Sequence, residues 1–199
     1  MPTRTGNRSS SRKNSAFSWS DNSGPIIGAA LAGAAFGFAA HFGRKALVQG
    51  MEARAGDWDE MLKKDHDEIE KTFDQILATD SSQTFKRSAL LMKLTHKLDK
   101  HAYEEEAVLY PALREDNDVK QADDLDMEHG HIKTFIYELK QMATDSPDWL
   151  EKIRQFRDLV VEHARMEEQE VFPRLKKDLG EEQNAKLTTM VNKAGFMMA

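Results

Sequence analysis

From Trp58 onward the apolar positions recur every three or four residues, the period of a helix that buries one face. Trp58, Met61, Leu62, His66, Ile69, Phe73, Ile76 and Leu77 form the first such stripe and predict a helix over about 57–78. A second stripe, Phe85, Leu90, Leu91, Leu94, Leu98, His101, Glu105, Val108 and Leu109, predicts a helix over about 83–114, with Ser81 and Ser82 as candidate caps. Leu125, His129, Ile132, Ile136 and Leu139 mark a third helix over about 119–143. The fourth follows Ser146-Pro147, a hydroxyl cap and a proline suited to a first turn, and runs through Leu150, Ile153, Phe156, Leu159, Val160, His163, Glu167 and Val171. Pro111 and Pro173 fall near the ends of the second and fourth helices, where they should kink or terminate them. Beyond Gly180, Leu187, Met190 and Val191 predict a short C-terminal helix. The pattern is that of an all-α protein, an up-down four-helix bundle over 51–180 followed by a helix and tail at 181–199.

The chain ahead of the bundle has a different texture. Residues 1–24 are rich in Ser, Asn, Arg and Gly without apolar periodicity, which predicts a disordered basic tail. Residues 25–50 read as an apolar, Gly/Ala-rich helix. Its core, 25–42, has no charged residue and lies at the short limit for crossing a bilayer. Gly28/Ala32 and Gly33/Gly37 have the small-xxx-small spacing of closely packed helices, so membrane association and self-association are both open for 25–42; a secretory signal is the third reading.

Charge narrows the partners. With 28 basic and 34 acidic residues the net charge is −6, which gives no support to nucleic-acid binding. The chain has no cysteine, so disulfides, iron–sulfur clusters, thiolate zinc sites and cysteine nucleophiles are excluded. Any metal must be held by nitrogen and oxygen. The composition fits a reducing, cytoplasmic compartment, with membrane association through 25–42 as an addition.

Four histidines and two glutamates lie on the buried stripes. His101 opens HAYEEEAVLYPAL and His163 opens HARMEEQEVFPRL; each precedes a glutamate by four residues (Glu105, Glu167) and a proline by ten. Residues four apart share a helix face, so each segment can present imidazole and carboxylate to one point. Upstream, His66 and His129 each follow an acidic residue and precede isoleucine by three. Residues 57–179 are thus two copies of one unit, a helix with one histidine and then a helix with His-xxx-Glu. Six such groups in an apolar core would each cost several kcal/mol unless they neutralise one another or bind cations. A metal pair satisfies them, with imidazoles at each ion and Glu105 and Glu167 bridging both. That set fills about eight of the roughly twelve positions of two octahedral ions and leaves room for a small ligand. Fe, Mn and Zn all suit such nitrogen and oxygen donors. Ferritin-like bundles use Glu-xx-His, which none of the four histidines completes.

The combination His66, His101-xxx-Glu105, His129, His163-xxx-Glu167 resembles the hemerythrin-like (HHE cation-binding) family over about 57–178. The EEEAVLYPAL and EEQEVFPRL tails are similar to that family as well. The resemblance implies a non-haem centre of two iron ions (Fe2+/Fe3+) that binds or senses O2, NO or peroxide. Oxygen-carrying members take a fifth histidine from His-xxx-His on the third helix; here Lys133 stands at that position. The four-His, two-Glu set is more similar to di-iron proteins linked with nitrosative stress and iron–sulfur repair, which commonly carry an N-terminal cysteine module not found in this sequence. Two other readings stay open. One is a di-iron enzyme with peroxidase, NO-reducing or repair activity; the other is a membrane-associated scaffold whose metal is structural.

Overall fold

The computed structural model describes residues 56–198, and every regular element among them is helical. The expected tail at 1–24 and apolar helix at 25–50 lie outside the described residues. Among those described, no helix is long and apolar enough to cross a membrane.

Helix α1 (Trp58–Leu77) turns Trp58, Leu62, His66, Ile69, Phe73 and Ile76 inward, as its stripe requires. Helix α2 spans 84–115 as Thr84–Glu104, a wide turn at Glu105–Leu109 and a continuation at Tyr110–Glu115. After a loop through Asn117, which takes the left-handed conformation (φ 66°) that asparagine tolerates, α3 covers Val119–Gln141. Helix α4 spans 149–178 and repeats the form of α2: Trp149–Met166, a wide turn at Glu167–Val171, then Phe172–Asp178. Helix α5 is Glu181–Met198.

The wide turns have a local cause. The Tyr110 N–H bonds to the Glu105 carbonyl and the Phe172 N–H to the Glu167 carbonyl, five residues back instead of four. Pro111 and Pro173 follow at once, and a proline has no N–H for the next carbonyl and crowds the one four residues back. The prolines therefore do not end the helices, which continue to Glu115 and Asp178.

Helix α1 packs against α2 and α4, and α3 packs against α4 and the end of α2. Between them lies a core that includes Phe73, Leu94, Leu98, Trp149, Ile153 and Phe156. Phe73 meets Phe156 edge-on at 5.2 Å. Helix α5 closes over α1 and α2: the Trp58 indole N–H donates to Asn184 Oδ1 at 2.9 Å, and the Trp58 backbone N–H donates to Thr188 Oγ1 at 3.0 Å.

Three sequence expectations change. Phe85 is 87% exposed, and Arg87 takes the inward position at that level of α2. The guanidinium donates to Thr79 Oγ1, the Thr79 carbonyl and the Thr144 carbonyl, and lies over the Trp149 ring, so it ties two loops to the core. Ser81 and Ser82 do not cap α2; the Asp80 carboxylate instead accepts from the Ser82 N–H and hydroxyl. Pro147 precedes the first turn of α4, which begins at Trp149.

Candidate metal centre

His66 and His101 face each other from α1 and α2, with Nε2 atoms 2.8 Å apart. His129 and His163 do the same from α3 and α4 at 3.2 Å. The two glutamates cross between these pairs. Glu105 Oε2 lies 3.2 Å from His101 Nε2 and 3.3 Å from His129 Nε2. Glu167 Oε2 lies 3.4 Å from both His66 Nε2 and His163 Nε2. The structure thus brings together all six residues singled out from the sequence. All are buried, and both glutamates have 0% exposure.

The outer ring nitrogens fix how the imidazoles point. Nδ1 of His66 donates to Glu168 (2.8 Å), that of His129 to Glu106 (2.9 Å) and that of His163 to Glu128 (2.7 Å). A carboxylate only accepts, so each of these Nδ1 atoms carries hydrogen and each Nε2 faces the centre. An outer carboxylate of this kind orients a metal-binding histidine and raises its basicity. His101 differs: its Nδ1 is buried with no hydrogen-bond partner. Asp65, the counterpart of Glu128 in the repeat, is held by Lys100 instead.

The donor set fits a pair of cations. Both oxygens of Glu105 and Oε2 of Glu167 are buried without a hydrogen-bond donor, a costly arrangement unless positive charge compensates it. Among the described residues, three groups of donor atoms are compact enough for an ion: His66, His101, Glu105 and Glu167; Glu105, His129 and His163; and Asp65, His101 and Glu104, whose two carboxylates already pair with Lys100. Beside them is a cavity of about 20 Å³ lined by the four histidines and by Ile69, Leu98, Ile132 and Ile136, among others. That is the room of one water-sized molecule.

Without a cation, protons do the compensating. Burial alone would lower His66, but the carboxylates of Glu167 and Glu168 override it and raise it to about 10. His129 is raised to about 10 in the same way by Glu105 and Glu106. His163 is also raised against the effect of burial, by the charge of Glu167 and by Glu128. His101 goes the other way, pushed well below its usual value by burial and by the positive charge of the other three histidines. Burial and the Glu167 charge lift Glu105 to about 7. The contact with His129 draws Glu106 down to about 2.

Several residues beside the motif have other employment. Glu70, four after His66, pairs with Arg157. His96 and His131 are exposed. Of the two glutamates that flank Glu105, Glu104 accepts from Lys100, while Glu106 makes the direct contact with a ring nitrogen. Lys133 pairs with Glu106 at 2.5 Å and lines the cavity. Glu106, Glu128 and Glu168 had a sequence signal in the repeat itself: an acidic residue precedes both single histidines, and a second glutamate follows both motif glutamates. Tyr110 carried no such signal in the repeat, and by sequence alone it reads equally as lining the small-molecule approach or as core packing. Its hydroxyl lies 2.9 Å from His129 Nε2 and 3.3 Å from Glu167 Oε1.

A DNA nickase from Nostoc sp. (strain PCC 7120 / SAG 25.82 / UTEX 2576) is 25% identical over 144 residues, which cover 72% of this chain. They cover 40% of the relative, so this chain spans less than half of that protein's length. No solved structure matches. The model of the hemerythrin HHE cation binding domain matches residues 58–175, from the first turn of α1 to the end of α4. The chain belongs to the hemerythrin HHE cation-binding family.

Proposed function

We propose that this protein holds two iron ions through His66, His101, Glu105, His129, His163 and Glu167 and uses them to bind or sense O2, NO or peroxide. The observation that carries the reading is the set of buried glutamate oxygens without donors, placed between two facing pairs of imidazoles. In this reading the four long helices run up and down around the centre, and residues 25–42 serve as a membrane-associating or self-associating segment. The iron pair would supply redox-active Lewis acidity. The chain's own residues do the rest. Glu106, Glu128 and Glu168 hold three imidazoles in place, and Ile69, Leu98, Ile132 and Ile136 keep bulk water from a cavity of about 20 Å³. A space of that size suits a diatomic or peroxide ligand and excludes larger substrates.

The relative's name raises DNA cleavage as another function. The burial of all six residues and the small cavity speak against a polynucleotide phosphate reaching them, as does the net charge of −6. An enzyme with peroxidase or NO-reducing turnover shares the same centre and differs only in consuming its ligand. The test is metal content and optical spectrum of the aerobically purified full chain. About two irons per chain, with absorption that changes on adding reductant or NO, is the expected result. One zinc or no metal, with no response to either reagent, would refute the proposal.

A further inference from the structure

The two halves of the centre are related by the repeat, with residues of the first half reappearing 62 or 63 positions later in the second. The relation holds for all six candidate metal-binding residues and for Glu106 and Glu168. Among the side chains at the centre it breaks at two places: Asp65 pairs with Lys100 where Glu128 bonds to His163, and one aromatic position differs. Tyr110 stands in the first half where Phe172 stands in the second, each closing the wide turn that begins at its glutamate. Phe172 lies parallel to the His66 ring with centroids 6.0 Å apart and presents only carbon there. Tyr110 presents an oxygen to the ring and carboxylate opposite.

The aromatic break adds a donor on one side only. Glu105 Oε2 and Glu167 Oε2 each lie within 3.4 Å of one histidine of either pair, so the two pairs share the same carboxylates. The Tyr110 hydroxyl sits at the pair His129 and His163. It is closer to His129 Nε2 (2.9 Å) than Glu105 Oε2 is (3.3 Å). Whichever of Tyr110 and His129 carries the hydrogen between them, its loss would leave a lone pair on each of two atoms 2.9 Å apart, a spacing at which both can bind one ion.

The geometry points to Tyr110 as a direct ligand of the ion held by His129, His163 and Glu105, with Phe172 denying that contact to the other ion. This rests on the two-iron reading above. The phenol O–H bond breaks, its proton leaves to solvent, and the oxygen lone pair bonds to ferric iron; no electron is transferred. A hard, anionic oxygen suits Fe3+ better than Fe2+, so the two ions become chemically distinct, and the tyrosine-bound one favours the ferric state.

Ferric tyrosinate has a visible charge-transfer absorption that imidazole and carboxylate ligands lack, which gives a readout independent of activity. The full chain, loaded with iron and assayed for iron per chain, should show this band, with tyrosine ring modes enhanced in resonance Raman spectra excited within it. Tyr110→Phe should lose the band while keeping two irons and its helical circular dichroism. Tyr103→Phe and Tyr137→Phe, which change the two remaining tyrosines, should keep it. If Tyr110→Phe fails to fold, the wild-type Raman spectrum decides alone. Two ferric ions per chain with no tyrosine modes would overturn this inference and leave the iron reading intact. A wild-type chain that takes up no iron pair would overturn both.

Discussion

Metal loading of this centre should be a proton exchange, and the structure sets its stoichiometry. His66 and His129 are both raised to about 10, so near neutral pH each holds a proton that an incoming ion must displace. Below about 10 and above the ordinary histidine range, binding therefore releases at least about two protons, and the apparent affinity rises at least about 100-fold per pH unit, or ~2.7 kcal/mol. His163, raised as well, adds to them at the lower end. Glu105, lifted to about 7, adds a fraction of a proton at and below that pH. The measurement is calorimetric titration of metal-free protein with Zn2+ at pH 7.5, in two buffers of different ionisation enthalpy, which counts released protons directly. Glu106→Gln and Glu168→Gln remove a carboxylate that raises each histidine, so each variant should release fewer protons. A wild-type release of zero protons, or affinity flat between pH 7 and 9, would refute the argument.

The same shifts set the stability of the metal-free fold. The pKa values of His66 and His129 are higher in the folded chain than the ordinary 6.5, so their contribution is complete below about 6.5 and is lost as pH rises through about 10. Glu105 at about 7 and Glu104 at about 8 act with the same sign but finish titrating earlier, which leaves the upper part of the window to the histidines. Raising the pH from 7 to 10 should thus weaken the metal-free protein while tightening its hold on metal.

Further outcomes follow from particular contacts. His101→Ala or Glu167→Ala should abolish stoichiometric metal binding with helical circular dichroism retained, and full occupancy in both would sink the site assignment. Arg87→Leu removes the donors to Thr79 and Thr144 and should cost about 2–3 kcal/mol by urea denaturation, against under ~0.5 kcal/mol for Phe85→Ser on the exposed side of the same helix. Trp58→Ala should cost about 3–5 kcal/mol and make α5 the first segment cut by protease, since the bond to Asn184 is lost with the ring and its packing, leaving only the backbone bond to Thr188.

Helix existence and the six central residues were legible because both rest on periodicity, which burial enforces along whole stripes. Leu125, His129, Ile132, Ile136 and Leu139 all face inward as their spacing requires. What single positions do at helix ends is set by neighbours remote in sequence, and there the pattern misled. Phe85 continues the α2 stripe by spacing, yet the site it would fill is taken by Arg87 beneath Trp149, a residue more than sixty positions away. The wide turns were half legible. Pro111 and Pro173 flagged a disturbance, but only the hydrogen bonds of Tyr110 and Phe172 show that it is absorbed within a continuous helix. Tyr110 was the least legible, because a tyrosine on a buried face packs well whether or not its hydroxyl meets a metal site.

The wide turns and the centre form a single device. In each half, one backbone hydrogen bond joins the buried glutamate to the aromatic five residues on, Glu105 to Tyr110 and Glu167 to Phe172. A regular helix would have one residue fewer in that turn and would rotate everything after it by about 100°, taking the aromatic off its target. The target lies in the other half: Tyr110 reaches His129, and Phe172 covers His66. Glu106 and Glu168 cross in the same sense, to His129 and His66. Each half therefore carries the carboxylate and the ring that position the other half's lone histidine, and neither can complete its own. Because the crossing is reciprocal, the two turns stay equivalent in backbone while their side chains diverge. A tyrosine on one side and a phenylalanine on the other can then make the two sides of the centre chemically different without altering the frame that holds them.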